Sequence, residues 1–421
     1  MRVLLFRLLC DTGGISTSMQ LLGQQLQRRG AHCEYWFCRP SNRLQEFMDT
    51  GRATLAPLSQ LARRLDRGEF DVIHMTATDP AAPLVARMAA GKARVIVTAR
   101  GALSDLWNHE NCFAYTAISK GMADVNQHYT DLEIEVVRNA IDADRFTPPD
   151  GAAGGTPIVA FVGRTTSAEK DFPRFTRIAS RLARRGARVW IADPHEANWD
   201  TFAKQPVERL DVERWGRVSH AEMADFYRAV AESGGVVLMT SRSEGFGNVA
   251  PEAAACGARV AAPNVIGLRE AIVDGETGRL FAANASDDDV AEMLRSWMSA
   301  PHDVWACAAT THAAFSPEVL TDRYLAIYGR REQRLRRRPA LRVSTPETPH
   351  LLEHLARQPG WRASFTRGAA ADLASAGYRR LALDALRMTL EASSDPLLSG
   401  RTLRDVVSVG RRLVVGRRAS M

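Results

Sequence analysis

Lysine is nearly missing from this chain of 421 residues: Lys92, Lys120, Lys170 and Lys204 are the full set, and arginine supplies the rest of its 55 basic residues. Basicity carried by arginine in this way reads as a compositional habit. The net charge of +7 therefore does not by itself point to nucleic acid. Long apolar runs are missing too. No stretch approaches the roughly 18 residues that a membrane-spanning helix needs, and the first ten residues, interrupted by Arg7, are too short and too broken for a signal peptide. The six cysteines show no C-x-x-C pairing, which argues against a zinc site or a disulfide framework and for reduced cytosolic thiols. No internal repeat of fixed period stands out.

What is present is the balance of a globular protein, 45% apolar and 24% charged. The length exceeds one ordinary core, so two α/β domains and an extension are expected. The charge is unevenly spread. Residues 331–421 hold 18 arginines, no lysine and eight acids, which leaves the first 330 residues slightly acidic. That basic extension has short helical patterns and no clear strand.

Strand-like and helical patterns alternate through the first 330 residues. Val3 to Leu9 reads as a buried strand, and Ile15, Met19, Leu22 and Leu26 then recur at helical spacing until Gly30. Further strands are expected at Phe70–Met75, Ala93–Thr98 and Phe113–Ser119. Strands separated by helices imply parallel pairing and a doubly wound sheet. The stretch Thr147–Pro157, rich in proline and glycine, is the strongest linker signal. The alternation then restarts with Ile158–Gly163, Arg188–Ala192, Glu213–Gly216 and Gly235–Met239. The resulting expectation is a domain over 1–150, a second over 151–330 whose last helix packs back on the first, and a basic helical extension over 331–421.

The most informative stretch is Ser241-Arg-Ser-Glu-Gly-Phe-Gly-Asn-Val-Ala-Pro-Glu252. It lies between an apolar strand and a short helix stopped by Gly257, where backbone N–H groups and the helix dipole favour phosphate. Glu244 and Glu252 flank it. Two acids beside an anion site need other partners, and sugar or ribose hydroxyls suit them. Gly163-Arg164 closes another strand six residues before Lys170, close enough for two cations to converge on one diphosphate. Asp11-Thr-Gly13-Gly14 sits between the first strand and its helix, where glycine lets backbone approach a phosphate. The bland readings are a solvated loop pair for Arg164 and Lys170, and a first-turn helix acid for Glu252.

Taken in order with Ala117-Ile-Ser-Lys120, Val137-Arg-Asn-Ala-Ile-Asp142, Arg145-Phe146 and Asp274-Gly-Glu-Thr-Gly278, these motifs resemble the retaining glycosyltransferases of the GT-B fold, family 4 type, over roughly residues 1 to 330. The resemblance implies two Rossmann-like doubly wound domains facing a cleft. It implies that Glu252 binds the donor ribose and that Glu244 faces the donor sugar. Phe246, Gly247, Asn248 and Val249 belong to the same donor loop, and the diphosphate falls to Arg164, Lys170 and the Gly13-Gly14 turn. Where the family commonly carries a histidine before glycine, this chain has Arg100-Gly101. Arg100 can stabilise phosphate charge but cannot act as a general base. His74 is a further polar candidate on the acceptor or donor side, against the reading of a satisfied core histidine; His109 is a weaker one. Asn139-Ala140 departs from the family's Asn-Gly.

The implied reaction moves a hexosyl unit from a nucleoside-diphosphate sugar, with UDP the commonest base, to a hydroxyl acceptor. The leaving phosphate takes the acceptor proton, and neither metal nor cofactor is needed. Asp287-Asp-Asp289 after Ser286 reads as a helix start and not as a metal site. The alternatives are a pseudo-glycosyltransferase or sugar-nucleotide epimerase on the same fold, and a non-catalytic nucleotide-sugar binding or scaffold protein. The expected location is the cytoplasm, with or without peripheral contact with a membrane's inner face. Leu403, Val406, Val407, Gly410 and Val414, flanked by arginines, fit such an interfacial helix. The favoured reading of the tail is a small appendage packed on the C-terminal domain, or partly disordered.

Overall fold

The computed structural model describes residues 1–10, 13–101, 111–127, 130–151, 154–193, 212–216, 218–219, 222–333 and 368–391. Asp11, Thr12, His109 and the arginine-rich 400–421 segment lie outside them.

Two parallel sheets organise the chain. The first has seven strands, β1 (Arg2–Phe6), β2 (His32–Phe37), β3 (Ala53–Leu55), β4 (Val72–Thr76), β5 (Arg94–Ala99), β6 (Ala114–Ala117) and β7 (Ile134–Val136), in the order β3-β2-β1-β4-β5-β6-β7. The second has six, β8 (Ile158–Val162), β9 (Arg188–Ala192), β10 (Val212–Trp215), β11 (Val236–Leu238), β12 (Arg259–Pro263) and β13 (Arg279–Phe281), in the order β10-β9-β8-β11-β12-β13. Every strand pairing among the described residues is parallel, as strands joined through helices require. The central strands are covered on both faces. All five residues of β4 and of β12 are buried, His74, Thr76 and Arg259 among them.

In each sheet the strand order reverses direction once, between β1 and β4 and between β8 and β11. Crevices outside the carboxyl ends of strands at such points are where open α/β sheets bind ligands. The loop after β1 carries Gly13-Gly14, the loop after β8 carries Arg164 and Lys170, and the loop after β11 carries Glu244 to Asn248. All three loops singled out in the sequence leave strands at these reversals.

The helix Pro317–Tyr328, capped by Ser316 and started by Pro317, returns to the first sheet. Leu320, Tyr324, Ile327 and Tyr328 are buried there against Val3, Leu5, Val72 and Ile96. Arg94 fixes the helix end by donating to the Tyr328 carbonyl (2.7 Å).

The described part of the extension packs on the first half, not on the second as the sequence suggested. A helix over 368–375 and the helix Arg379–Glu391 bury Ala370, Leu373, Ala382 and Ala385 in the same core cluster as Leu61, Leu65 and Val85. The physical reason lies at the start of the helix Leu58–Asp66, whose cap position is Pro57 and has no side-chain cap. Asp372 supplies one from a distance, accepting from Ser59 N (2.9 Å) and Ser59 Oγ (2.7 Å). Tyr378 donates to Asp66 (2.7 Å) and Arg87 pairs with Asp384 (2.9 Å).

Candidate functional site

Lys170 and Glu244 meet at the second sheet's reversal. Lys170 closes a single 3₁₀ turn, Ala168–Lys170, and Asp171 follows in the left-handed region (φ 44°) as N-cap of the helix Phe172–Ala183. Thr240, just after β11, donates to the carbonyls of Lys170 (2.9 Å) and Asp171 (3.0 Å), and Arg242 N donates to the Glu169 carbonyl (2.7 Å). This lacing brings Lys170 Nζ to 2.5 Å from Glu244 Oε1, which also accepts from Ser241 Oγ (2.7 Å). Both charged side chains are mostly buried, 17% and 15% exposed, so the pair is well shielded from solvent screening. Lys170 thus lies against Glu244, and Arg164 stands exposed on the same loop. Buried Asp193, at the end of β9, anchors that loop by accepting from Thr165 N (3.3 Å) and from its hydroxyl.

The donor loop is turned by Gly247 (φ 88°). Phe246 is buried edge-to-face against Phe315, ring centroids 5.7 Å apart, so its side chain serves the core. The following helix runs Val249–Ala255, starting three residues earlier than the sequence suggested. Glu252 therefore sits within its first turn, with one carboxylate oxygen 3.5 Å from the Tyr227 hydroxyl.

The two halves touch at this loop. Arg100 NH1 donates to Asn139 Oδ1 (3.0 Å), and Asn139 Nδ2 donates to Asn248 Oδ1 (2.8 Å). A Cβ on Gly14 would lie 2.8 Å from Asn248 Nδ2, and one on Gly245 would lie 2.6 Å from the Arg100 carbonyl. A side chain at 245 would collide with backbone, and one at 14 would have to displace the Asn248 amide. Ser119, the N-cap of the helix Lys120–Asn126, donates to the Gly245 carbonyl (2.8 Å). Glu270 from the second half accepts from Lys120 N (2.7 Å) and Gly121 N (3.0 Å), with Arg138 Nε at 3.8 Å. Burial pushes the Arg100 guanidinium down to about 10, still charged at neutral pH.

His74 is not in this cleft constellation. Its Nδ1 lies 2.6 Å from the Tyr328 hydroxyl and its Nε2 2.6 Å from Thr98 Oγ1, so both ring nitrogens are engaged beneath the returning helix. Burial, and secondarily the charge of Arg100, push it down to about 3. The candidate for the acceptor or donor side is thus buried with both nitrogens engaged, and it lines a small cavity with Arg7, Thr76 and Arg100. Asp287 pairs with Arg174 (3.3 Å) and Arg177 (2.6 Å), Asp288 with Arg181, and Ser286 Oγ accepts from Asp289 N (3.1 Å), so the triplet works as a helix start. Among the described residues no group of three His, Cys, Asp or Glu is placed to hold a metal ion, and no helix is long and apolar enough to cross a membrane.

Sequence reasoning did not single out Asp193 or Glu270, and Ser119 and Ser241 entered only as parts of motifs. Asn139 entered only as part of a motif. Ser119 directly before a helix was the one legible signal among them.

Two family profiles match the chain, Glycosyltransferase Family 4 over residues 12–145 and Glycosyl transferases group 1 over residues 156–299. The chain belongs to the family 4 type of GT-B glycosyltransferases. Among curated relatives, D-inositol 3-phosphate glycosyltransferase of Mycolicibacterium paratuberculosis is 34% identical over 222 residues, covering 49% of this chain and 49% of that protein. The Mycobacterium avium protein of the same name is 34% identical over 222 residues, covering 49% and 51%. The chain spans about half the length of these relatives. Solved structures share the fold: a glycosyltransferase from Rickettsia africae has a TM-score of 0.63 at 16% identity, covering 77% of this chain and 97% of that one. Anabaena HepE in complex with UDP-glucose has a TM-score of 0.63 at 15% identity, covering 77% and 98%.

Proposed function

We propose that this family member transfers a hexosyl unit from a nucleoside-diphosphate sugar to a hydroxyl acceptor, with retention at the anomeric carbon and without a metal ion or cofactor. The observation that carries the reading is the shielded Lys170–Glu244 pair at a strand-order reversal, beside a donor loop that faces Gly14 across the cleft. An incoming diphosphate competes with Glu244 for the Lys170 ammonium, and the released carboxylate is then available to sugar hydroxyls. Arg164 and Arg100 add positive charge in a planar fork suited to phosphate oxygens. The anomeric carbon–oxygen bond to phosphate breaks while a new one forms to the acceptor oxygen on the same face, and the acceptor proton passes to the leaving phosphate. The chain's contribution is a preorganised field and the exclusion of water. UDP is the first base to try, since HepE was crystallised with UDP-glucose. We place the protein in the cytoplasm on its composition.

The test is incubation with UDP-, GDP-, ADP- and TDP-hexoses and a panel of hydroxyl acceptors, reading released diphosphate and product configuration by NMR. No diphosphate release with any pair sinks the enzyme reading, and an inverted product sinks retention. Activity lost in chelator and restored only by a divalent ion sinks metal independence.

A further inference from the structure

The hydrogen bonds that join Arg100, Asn139 and Asn248 have a direction, and that direction is set at one end. A guanidinium can only donate. Asn139 must therefore turn its carbonyl oxygen to Arg100, as it does at 3.0 Å, which leaves its NH₂ for the other side. Asn248 must in turn present its own oxygen to that NH₂, as it does at 2.8 Å. The Asn248 NH₂ then has one way to face. It points at Gly14, where a Cβ would sit 2.8 Å from the nitrogen and where the missing side chain leaves the approach open. A side-chain amide is symmetric in shape, and its orientation follows from the network around it. Here the network begins at a residue with no acceptor.

We propose that Arg100 and Asn139 are positioning residues that hold the Asn248 amide with its N–H groups toward the Gly13-Gly14 side of the cleft, making it a fixed donor to the diphosphate of the sugar nucleotide. The proposal rests on the function argued above. A side chain that could accept at position 100 would leave the direction open, whereas arginine settles it. The relay also crosses from one half to the other, so the orientation is completed only when the halves meet. Arg100 acts through Asn248 in this scheme, in addition to whatever charge it contributes.

Asn139→Asp tests this directly. Aspartate has the same shape and still accepts from Arg100, so the fold is kept, but it cannot donate to Asn248, whose amide then turns its oxygen to the anion. Calorimetric titration with UDP, GDP, ADP and TDP identifies the base the wild type binds, and the matching nucleoside serves as a phosphate-free control. The expected result is a diphosphate Kd raised about tenfold or more, the scale of one charge-assisted hydrogen bond, with the nucleoside Kd unchanged. The added negative charge at 139 is separated by a double-mutant cycle. In an Asn248→Ala background, Asn139→Asp is expected to cost only the share due to the added charge, well below its cost with Asn248 present. Arg100→Lys, which also only donates, is expected to keep most of the diphosphate preference. An Asn139→Asp variant that binds like wild type, or the same loss in the Asn248→Ala background, overturns the relay. A wild type that binds none of the four diphosphates overturns the functional reading and the relay with it.

Discussion

Lys170 and Glu244 hold each other in a place where neither is cheap to lose. With both side chains mostly buried, removing one leaves the other without its partner, an effect of about 2 to 5 kcal/mol at such contacts. Lys170→Ala is expected to lower kcat/KM at least about 30-fold through the lost contact with the diphosphate, and to lower the melting temperature as well, because Glu244 is left mostly buried without its cation. Steady-state kinetics beside a thermal melt checks it; an unchanged kcat/KM would remove Lys170 from the site. His74 makes a different prediction. Its folded value is about 3 against an ordinary 6.5, so below 6.5 the unfolded chain takes up a proton that the native one refuses. Stability from this group is full at neutral pH and falls as pH drops from 6.5 toward 3, by at most about 5 kcal/mol over the whole window. Urea midpoints from pH 7 to 4 should decline, and His74→Gln should flatten the slope while lowering the midpoint at pH 7. Equal slopes for the two proteins would refute the assignment.

Among the elements, the helix Leu58–Asp66 depends on a residue 313 positions away, since Asp372 stands where a local cap is missing. Asp372→Ala should cost about 1 to 2 kcal/mol, with faster amide exchange at the start of that helix and in 368–391. Unchanged exchange there would mean that the contact carries no stability. This is also where sequence reading stopped. Strands β1, β8 and β11 were legible because both faces are covered and apolar residues run without interruption, whereas β12, equally buried, was missed because it opens on Arg259 and ends on Pro263 around two alanines. Strand β2 was missed because it carries His32 and Glu34; Glu34 is held by Arg64 (2.8 Å) and lies 2.9 Å from the His32 ring. Strands β3, β7 and β13 are three residues long, too short for any period to register. The candidate-site loops were legible because glycine and charge fall together directly after strands. Asp372, Glu270 and the pairing of Asn139 with Asn248 had no local signature, for each is defined by a partner far along the chain.

At the scale of the whole molecule, the two halves share one buried core cluster, and polar contacts join them beside it. Glu270 uses both carboxylate oxygens on the N–H groups that begin the helix Lys120–Asn126. Glu270→Gln keeps the shape but offers one oxygen where two are used, and sets an NH₂ against an N–H. The cleft is expected to open more often, with a larger radius of gyration by X-ray scattering and a donor KM raised several-fold, while kcat at saturating donor stays near wild type. An unaltered scattering profile and KM would show that Glu270 does not govern closure.

The helix Pro317–Tyr328 closes the chain back onto the sheet where it began. A ribosome has made both sheets before this helix emerges, so the first sheet waits with the bed for Tyr324 and Tyr328, and the ring of His74, uncovered. Its maturation is deferred until the second half exists. A fragment ending at residue 316 should expose that apolar bed and aggregate, and adding the 317–328 segment in trans should restore its solubility.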